Sequence, residues 1–296
     1  MNKNLMISGF SDEISSDFDT QLEVVSKLGM QYISLRGIDG KNIGDFTVEE
    51  IKENVLPRLQ KVKIGVSSIG SPIGKIFIND EAGFENQKAM LDRLCQISKI
   101  LDCKYIRIFS FYIPKGEAAD HYRDEVISKL KVFASIAEKY DVILLHENEK
   151  DIFGDIGRRC KKILKEVGSA HFKGIFDFAN FVQCGEDTGE CYDLLRDEIV
   201  YIHIKDAVTT DSQNVVCGTG DGKIPELLAQ FIQSGYQGFL TLEPHLVLFD
   251  SLKDLELEDA KEFIKDDKGL DGAGGYKLQY ESLLTILEKI ESEEKK

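Results

Sequence analysis

Eight short, mostly apolar runs, each followed by a stretch of helical periodicity and none out of turn, leave this chain few folds to adopt. The runs are Leu5–Phe10, Gln31–Arg36, Val62–Ile69, Lys104–Phe109, Asp141–Glu147, His171–Asp177, Ile199–Asp206 and Gly238–Glu243. Apolar spacing predicts helices at about Phe18–Leu28, Thr47–Lys61, Phe84–Leu101, Ala119–Tyr140, Ile156–Val167, Cys191–Arg196, Ile224–Ser234 and Tyr276–Ile290. Gly29, Gly168 and Gly235 stop three of them, and Thr47 reads as an N-cap with Glu49 and Glu50 near the positive helix end. Pro57 predicts a kink. Strands that alternate with helices imply a parallel sheet. Eight such units in 296 residues fit an α/β chain closed into a (β/α)8 barrel, the TIM barrel, which typically needs ~250 residues. An open doubly wound sheet would want a glycine fingerprint after its first strand, and Gly9-Phe-Ser-Asp-Glu is not one. No boundary interrupts the alternation, so a single domain is expected over residues 1–296. The longest stretch without periodicity, about Pro244–Gly275, follows the eighth strand and reads as a lid or specificity element.

Composition narrows the partners. No apolar run is long enough to cross a membrane, and the first residues lack the apolar stretch and cleavage site of a signal peptide. Cys95, Cys103, Cys160, Cys184, Cys191 and Cys217 form no CxxC pair, which predicts free thiols and a cytoplasmic location. Lys and Arg number 37 against 52 Asp and Glu, a net charge of −15 that argues against a nucleic-acid partner. A small anion in a locally basic pocket remains compatible with it. Part of the acidity is solvated surface, since residues 250–268 carry eight acids and four lysines.

The chemistry sits where strands end. Parallel α/β folds gather their functional groups at the C-terminal ends of the strands. Strand five ends His146-Glu147-Asn148-Glu149, strand six ends in Asp177 with Asn180 beyond it, strand seven carries His203 and Lys205 on one face, and strand eight ends Glu243-Pro244-His245. Glu147, Asp177, His203 and Glu243 are 30, 26 and 40 residues apart, one barrel unit each. Singly, Glu147 reads equally well as an N-cap, Asp177 as a turn residue, Glu243 as a loop acid and His203 as a core histidine. Together, three carboxylates and an imidazole converging on one mouth would repel unless a cation sits among them. Such oxygen-rich coordination suits Mn²⁺, Mg²⁺ or Co²⁺ and also admits Zn²⁺. Glu149 shares a face with Glu147 and competes with it for the strand-five position.

These residues give the chain a family resemblance. Glu147-Asn148, Asp177, His203-Ile-Lys-Asp206 and Leu242-Glu243, with Gly218-x-Gly220 and Gly235-Tyr-x-Gly238 between the last two, resemble the sugar phosphate isomerase/epimerase family, the xylose isomerase-like barrels. The resemblance spans about residues 5–292. It implies one divalent metal ion held by Glu147, Asp177, His203 and Glu243. It also implies proton transfer beside a sugar carbonyl through an enediolate, with Glu147 and Glu243 as acid and base. Many members have His three residues after the strand-six Asp, where this chain has Asn180.

Around these residues, Arg36 and Arg107 read either as ligands of a substrate oxygen, carboxylate or phosphate or as ion-pair partners within the mouth. Asn180, Lys205 and His245 read as further substrate contacts. Lys75, in the Gly/Ser/Pro loop after strand three, reads as a solvated loop lysine, with anion binding the alternative. The expected partner is a small sugar or sugar phosphate, and a homo-oligomer is compatible with this reading. One rival on the same barrel is a dehydratase of a keto-inositol or similar polyol. Another is an endonuclease-like phosphodiesterase, disfavoured by the acidity and by the lack of any His before His121. The third is a non-catalytic sugar-binding protein.

Overall fold

The computed structural model describes residues 5–249 and 269–294. Eight parallel strands form one sheet: β1 (Leu5–Gly9), β2 (Tyr32–Leu35), β3 (Gly65–Gly70), β4 (Tyr105–Ile108), β5 (Ile143–His146), β6 (Phe172–Asp177), β7 (Ile199–Ile204) and β8 (Gly238–Leu242). Neighbours follow chain order from β2 to β8, and β8 returns to pair with β1 from Leu5↔Gly238 to Gly9↔Leu242. A single parallel bridge, Phe10 to Ser34, links β1 to β2, so the barrel is nearly closed. Helices lie between the strands, among them Phe18–Lys27, Glu81–Ile100, Arg123–Glu138, Gly157–Val167, Thr188–Leu195, Ile224–Gln233 and Gly272–Glu294. No helix among the described residues is long and apolar enough to cross a membrane.

Strand alternation sorts the side chains into two environments. Outward residues such as Ile33, Ile106, Leu144, Phe176, Ile202 and Leu240 join the helices in one large apolar shell. Inside the barrel, Leu145, Ile175, Tyr201 and Phe239 form a separate cluster at the base, with Met6, Tyr32 and Tyr105 against it. Above them lies a floor of hydroxyls. The Tyr201 hydroxyl lies 2.9 Å from both Ser67 Oγ and Ser68 Oγ, and Thr241 Oγ1 donates to it at 2.6 Å. These buried hydroxyls satisfy one another, as buried polar groups must. Polar, ionisable side chains occupy the layer above, at the strands' C-terminal ends.

Three local readings need correction. The segment after Thr47 is not one kinked α-helix. A capping box between Thr47 and Glu50 starts a short α-turn at Val48–Glu50, a π-helical stretch at Ile51–Val55 follows, and α-helix resumes at Leu56–Val62. Pro57 sits in the first turn of that last piece, where its missing N–H is best tolerated. The third strand begins at Gly65, because Lys63 takes a left-handed conformation and ends the preceding helix. A short helix, Phe178–Gln183, follows β6 directly, where no helix was expected. Most of the stretch expected to form a lid, residues 250–268, lies outside the described residues.

Candidate active site

Backbone register brings the four strand-end residues together. His203 in β7 lies opposite Asp177 at the end of β6 and opposite Thr241 in β8, so Glu243 projects inward just beyond it. Glu147 immediately follows β5, and its N–H donates to the Ile108 carbonyl of β4 at 3.0 Å. His203 Nδ1 lies 2.5 Å from Glu147 Oε1, 3.2 Å from Glu243 Oε2 and 3.8 Å from Asp177 Oδ2. One ligand atom from each of these four residues lies within 4.8 Å of the other three. All four residues are buried.

Glu149 does not join this group. Its carboxylate turns to Lys75 at 3.3 Å, and the strand alternation that would align it with Glu147 has ended at His146. Lys75 is correspondingly not a solvated lysine. Its side chain is buried, with the ammonium over the Phe109 ring. His146 faces away from the mouth and stacks on Phe172.

The expected substrate contacts take several forms. Arg36 and Arg107 both enter ion pairs. Arg36 Nη1 donates to Glu243 Oε1 at 2.8 Å, while its Nε and Nη2 hold Asp12 at 2.8 and 3.0 Å. Arg107 Nη1 lies 3.2 Å from Glu147 Oε2 and 3.7 Å from Glu243 Oε1. Lys205 Nζ sits 3.4 Å from Asp177 Oδ2 and 3.8 Å from Glu243 Oε2. His245 Nε2 is 3.5 Å from Glu243 Oε1.

Asn180 is tied into the backbone around the site. Its side-chain amide donates to the Asn148 carbonyl at 2.7 Å, and its own N–H caps onto Asp177 Oδ1 at 2.9 Å. Asn148 in turn exchanges two 3.2 Å hydrogen bonds with the Asp177 backbone. The pair locks the loops that carry Glu147 and Asp177 to each other. Through its amide nitrogen and its backbone N–H, Asn180 is part of that framework.

Two acids escaped notice. Asp12 and Glu13 follow β1 in a turn of 3₁₀ helix, both buried. Glu13 Oε1 lies 3.3 Å from Arg36 Nη2, and Glu13 Oε2 accepts the His245 N–H at 2.7 Å. The available signal was their position just past a strand end, shared with Glu147 and Glu243. Asp206 turns away from the mouth. Its carboxylate accepts the N–H groups of Gly218, Gly220 and Gly222 at 2.8, 3.0 and 3.0 Å, which explains the glycine spacing in that loop.

Electrostatics expose what the mouth lacks. Asp12, Glu13, Glu147, Asp177 and Glu243 are buried beside Arg36, Arg107 and Lys205, so with every acid ionised and both imidazoles neutral two negative charges are left over. Asp177 Oδ2 and Glu243 Oε2 are buried with no hydrogen-bond partner among the described residues. Each of these oxygens has only longer ion-pair contacts to His203 or Lys205, and a buried carboxylate oxygen short of hydrogen bonds is costly. The donor set, one imidazole nitrogen and three carboxylates, fits one divalent cation in both charge and chemistry.

Proton affinities reflect the same strain. Burial works against a charged His203, but Glu147 and Glu243 outweigh it and lift the ring to about 9. Burial, ahead of the opposing pull of Lys205, pushes Asp177 up to about 7. Burial likewise raises Glu13 to about 8 despite Arg36. Glu147 is drawn down to about 2, because His203 and Arg107 overcome its desolvation. Burial and the nearby Lys205 lower His245 to about 4.

These shifts carry a sign. His203, Asp177 and Glu13 hold protons more tightly folded than unfolded, so their stabilisation is lost as pH rises from 3.8 to about 7 for Asp177, from 4.5 to about 8 for Glu13 and from 6.5 to about 9 for His203. The depressed Glu147 acts only at the acid end, where stability falls as pH drops from its ordinary 4.5 toward about 2. Metal-stripped protein should therefore lose thermal stability between pH 6 and 9. Saturating Mn²⁺ should flatten that loss, since a cation replaces the protons. Melting curves with chelator and with Mn²⁺ across that range check this, and parallel profiles would refute it.

A family model for the xylose isomerase-like TIM barrel matches residues 22–267. The chain belongs to this family. A curated relative, the probable L-ribulose-5-phosphate 3-epimerase UlaE of Mycoplasma pneumoniae, is 22% identical over 139 residues. That match covers 47% of this chain and 46% of the relative, so the chain spans about half the length of the curated relative it matches. Among solved structures, an IolI protein with a bound zinc atom aligns with a TM-score of 0.74 at 16% identity, over 96% of this chain and 99% of that one. A D-allulose 3-epimerase from Methylomonas sp. aligns with a TM-score of 0.71 at 15% identity, over 96% and 98%. At these identities the structural matches speak for the barrel.

Proposed function

We propose that the protein is a metal-dependent isomerase or epimerase that moves a proton at the carbon beside a sugar carbonyl, through an enediolate. The observation that carries this reading is the convergence of Glu147, Asp177, His203 and Glu243 within 4.8 Å, with Asp177 Oδ2 and Glu243 Oε2 buried without a hydrogen bond and held only by ion-pair contacts of 3.2 to 3.8 Å. Those four residues would hold one divalent ion, of the Mn²⁺, Mg²⁺, Co²⁺ or Zn²⁺ type. When bound, such an ion polarises carbonyl and hydroxyl oxygens. The epimerase names of the curated relative and of a structural neighbour support the same class.

The chain's own groups supply the rest. Glu147 and Glu243 approach His203 Nδ1 at 2.5 and 3.2 Å on different carboxylate oxygens, and they belong to strands on opposite sides of β6 and β7. Arg107 braces Glu147, while Arg36 and Lys205 brace Glu243, so both stay ionised and able to accept a proton. Lys205 Nζ, beside Asp177 and Glu243, is positioned to steady an oxygen that gains negative charge. The test is incubation of a ketose panel with metal-stripped and Mn²⁺-restored protein in D₂O. Deuterium should enter the carbon beside the carbonyl only in the restored sample. Metal-loaded protein that leaves every ketose unexchanged would refute the reading.

A further inference from the structure

Two carboxylates share the guanidinium of Arg36, one on each edge. Its Nε and Nη2, the side-on edge of the fork, donate to Asp12 Oδ2 and Oδ1 at 2.8 and 3.0 Å. Its Nη1 donates to Glu243 Oε1 at 2.8 Å. Glu13 Oε1 takes a longer contact, 3.3 Å from Nη2. Phe10 and Phe249 lie against the group, with ring centres 4.3 and 5.1 Å from Cζ. The side chains of Arg36 and Asp12 are almost wholly buried, which strengthens the two-point contact and fixes the plane of the fork.

That plane decides how Glu243 presents its oxygens. The terminal torsion of a glutamate is broad and roughly two-fold, so nothing in the side chain itself chooses between them. Arg36 Nη1 takes Oε1. The other oxygen, Oε2, is the one left beside His203 Nδ1 at 3.2 Å and Lys205 Nζ at 3.8 Å. Among the described residues, both hydrogen bonds to the Asp12 carboxylate come from Arg36, and Asp12 is not one of the four residues converging on the ion position. Its charge works in the same direction as its geometry. Asp12 offsets the positive charge of Arg36, which would otherwise bear more strongly on Glu243 and oppose a cation beside it.

We infer that Asp12 is a positioning residue, which acts through Arg36 to keep Glu243 Oε2 turned toward the ion position. This role rests on the sugar-isomerase reading above and deepens it by a residue outside the ligand set.

The test uses the full chain with Mn²⁺ as the probe. Asp12→Asn keeps the size of the side chain but turns one acceptor into a donor that faces Arg36. Mn²⁺ affinity, read by calorimetry, should fall about tenfold, the low end for a group that supports a metal ligand, because Asp12 acts one residue further out. At saturating Mn²⁺, deuterium exchange into a ketose that the wild type exchanges should slow by up to about 10²-fold at unchanged KM, as a misaimed base requires. Arg36→Lys and the double variant complete a cycle. Lys lacks the fork that holds Asp12 and Glu243 together, so adding Asp12→Asn to it should cost less than about twofold in Mn²⁺ affinity. Asp12→Glu keeps the charge on a longer arm and carries the test where Asp12→Asn does not fold; it too should bind Mn²⁺ more weakly. Melting curves on the same samples separate these losses from loss of fold. Unchanged Mn²⁺ affinity in the folded variant, whatever its melting temperature, would make Asp12 merely structural and overturn the inference, while wild-type exchange would leave the reaction standing. Equal losses from Asp12→Asn with and without Arg36→Lys would overturn it too. Weaker, Arg36-dependent Mn²⁺ binding in a protein that exchanges no ketose would support the inference and overturn the reaction. A wild type that binds no Mn²⁺ would overturn both.

Discussion

His203→Ala is expected to leave the protein without bound metal after dialysis that leaves the wild type loaded. His203 Nδ1 is the one imidazole nitrogen within the four-residue cluster, and the carboxylates of Glu147, Asp177 and Glu243 all face it. Changing a group that merely supports a metal ligand typically costs 10–100-fold in affinity. Removing a ligand itself should exceed about 100-fold. His245 does not replace it, because its ring lies on the far side of Glu243, toward Glu13. The imidazole also packs edge-on to Phe10 and Tyr201, so truncation opens a hole as well as a coordination position. His203→Gln keeps most of that volume and separates the two effects. Elemental analysis of all three proteins after identical dialysis reads the outcome. Equal metal content in wild type and both variants would remove His203 from the ligand set.

How far such a site can be read before folding depends on how each residue signals its place. Glu147, Asp177, His203 and Glu243 were legible because each ends a strand and the strands recur once per unit, so the closed barrel alone brings them together. The barrel was legible for the same reason: alternation at two periods is a local property of the chain. Asp12 and Glu13 lie at an equivalent place after β1, yet two acids in a turn look like any helix-entry sequence. The neighbouring ends of β1 and β2 set them beside Arg36, and the return of β8 against β1 sets Glu13 beside His245. Asn180 carries a tie that the sequence hides for a related reason. Its spacing from Asp177 suggested a substrate contact, and the helix that begins at Phe178 also brings its amide nitrogen to the Asn148 carbonyl. That six-residue helix is too short to display periodicity. Lys75 showed nothing of its burial, because the acid that holds it, Glu149, is 74 residues away.

Glu243→Gln and Glu147→Gln should each stop net turnover while leaving part of the chemistry intact. Gln preserves the size of the side chain and most of its hydrogen bonding but cannot accept a proton at neutral pH. Epimerisation needs one group to remove the proton and another to return it on the opposite face. A variant with one carboxylate left can still remove its own proton and take it back. Deuterium from solvent should therefore continue to enter the carbon beside the carbonyl, from one side only, while product fails to accumulate. Loss of a general base typically costs ~10²–10⁴-fold. The loss of a ligand charge from a mouth balanced for a divalent ion should push both variants toward the larger figure. Glu243 should be the more sensitive of the two. It accepts from Arg36 at 2.8 Å and lies within 3.8 Å of Lys205, and a neutral amide leaves both cations short of their counter-charge. The measurement is turnover and deuterium incorporation in each variant, with metal content determined on the same samples. Near-wild-type turnover in either variant while it remains metal-loaded would defeat the two-carboxylate mechanism. In that event Glu13, already hydrogen-bonded to His245 and raised toward neutrality by burial, is the next acid to replace.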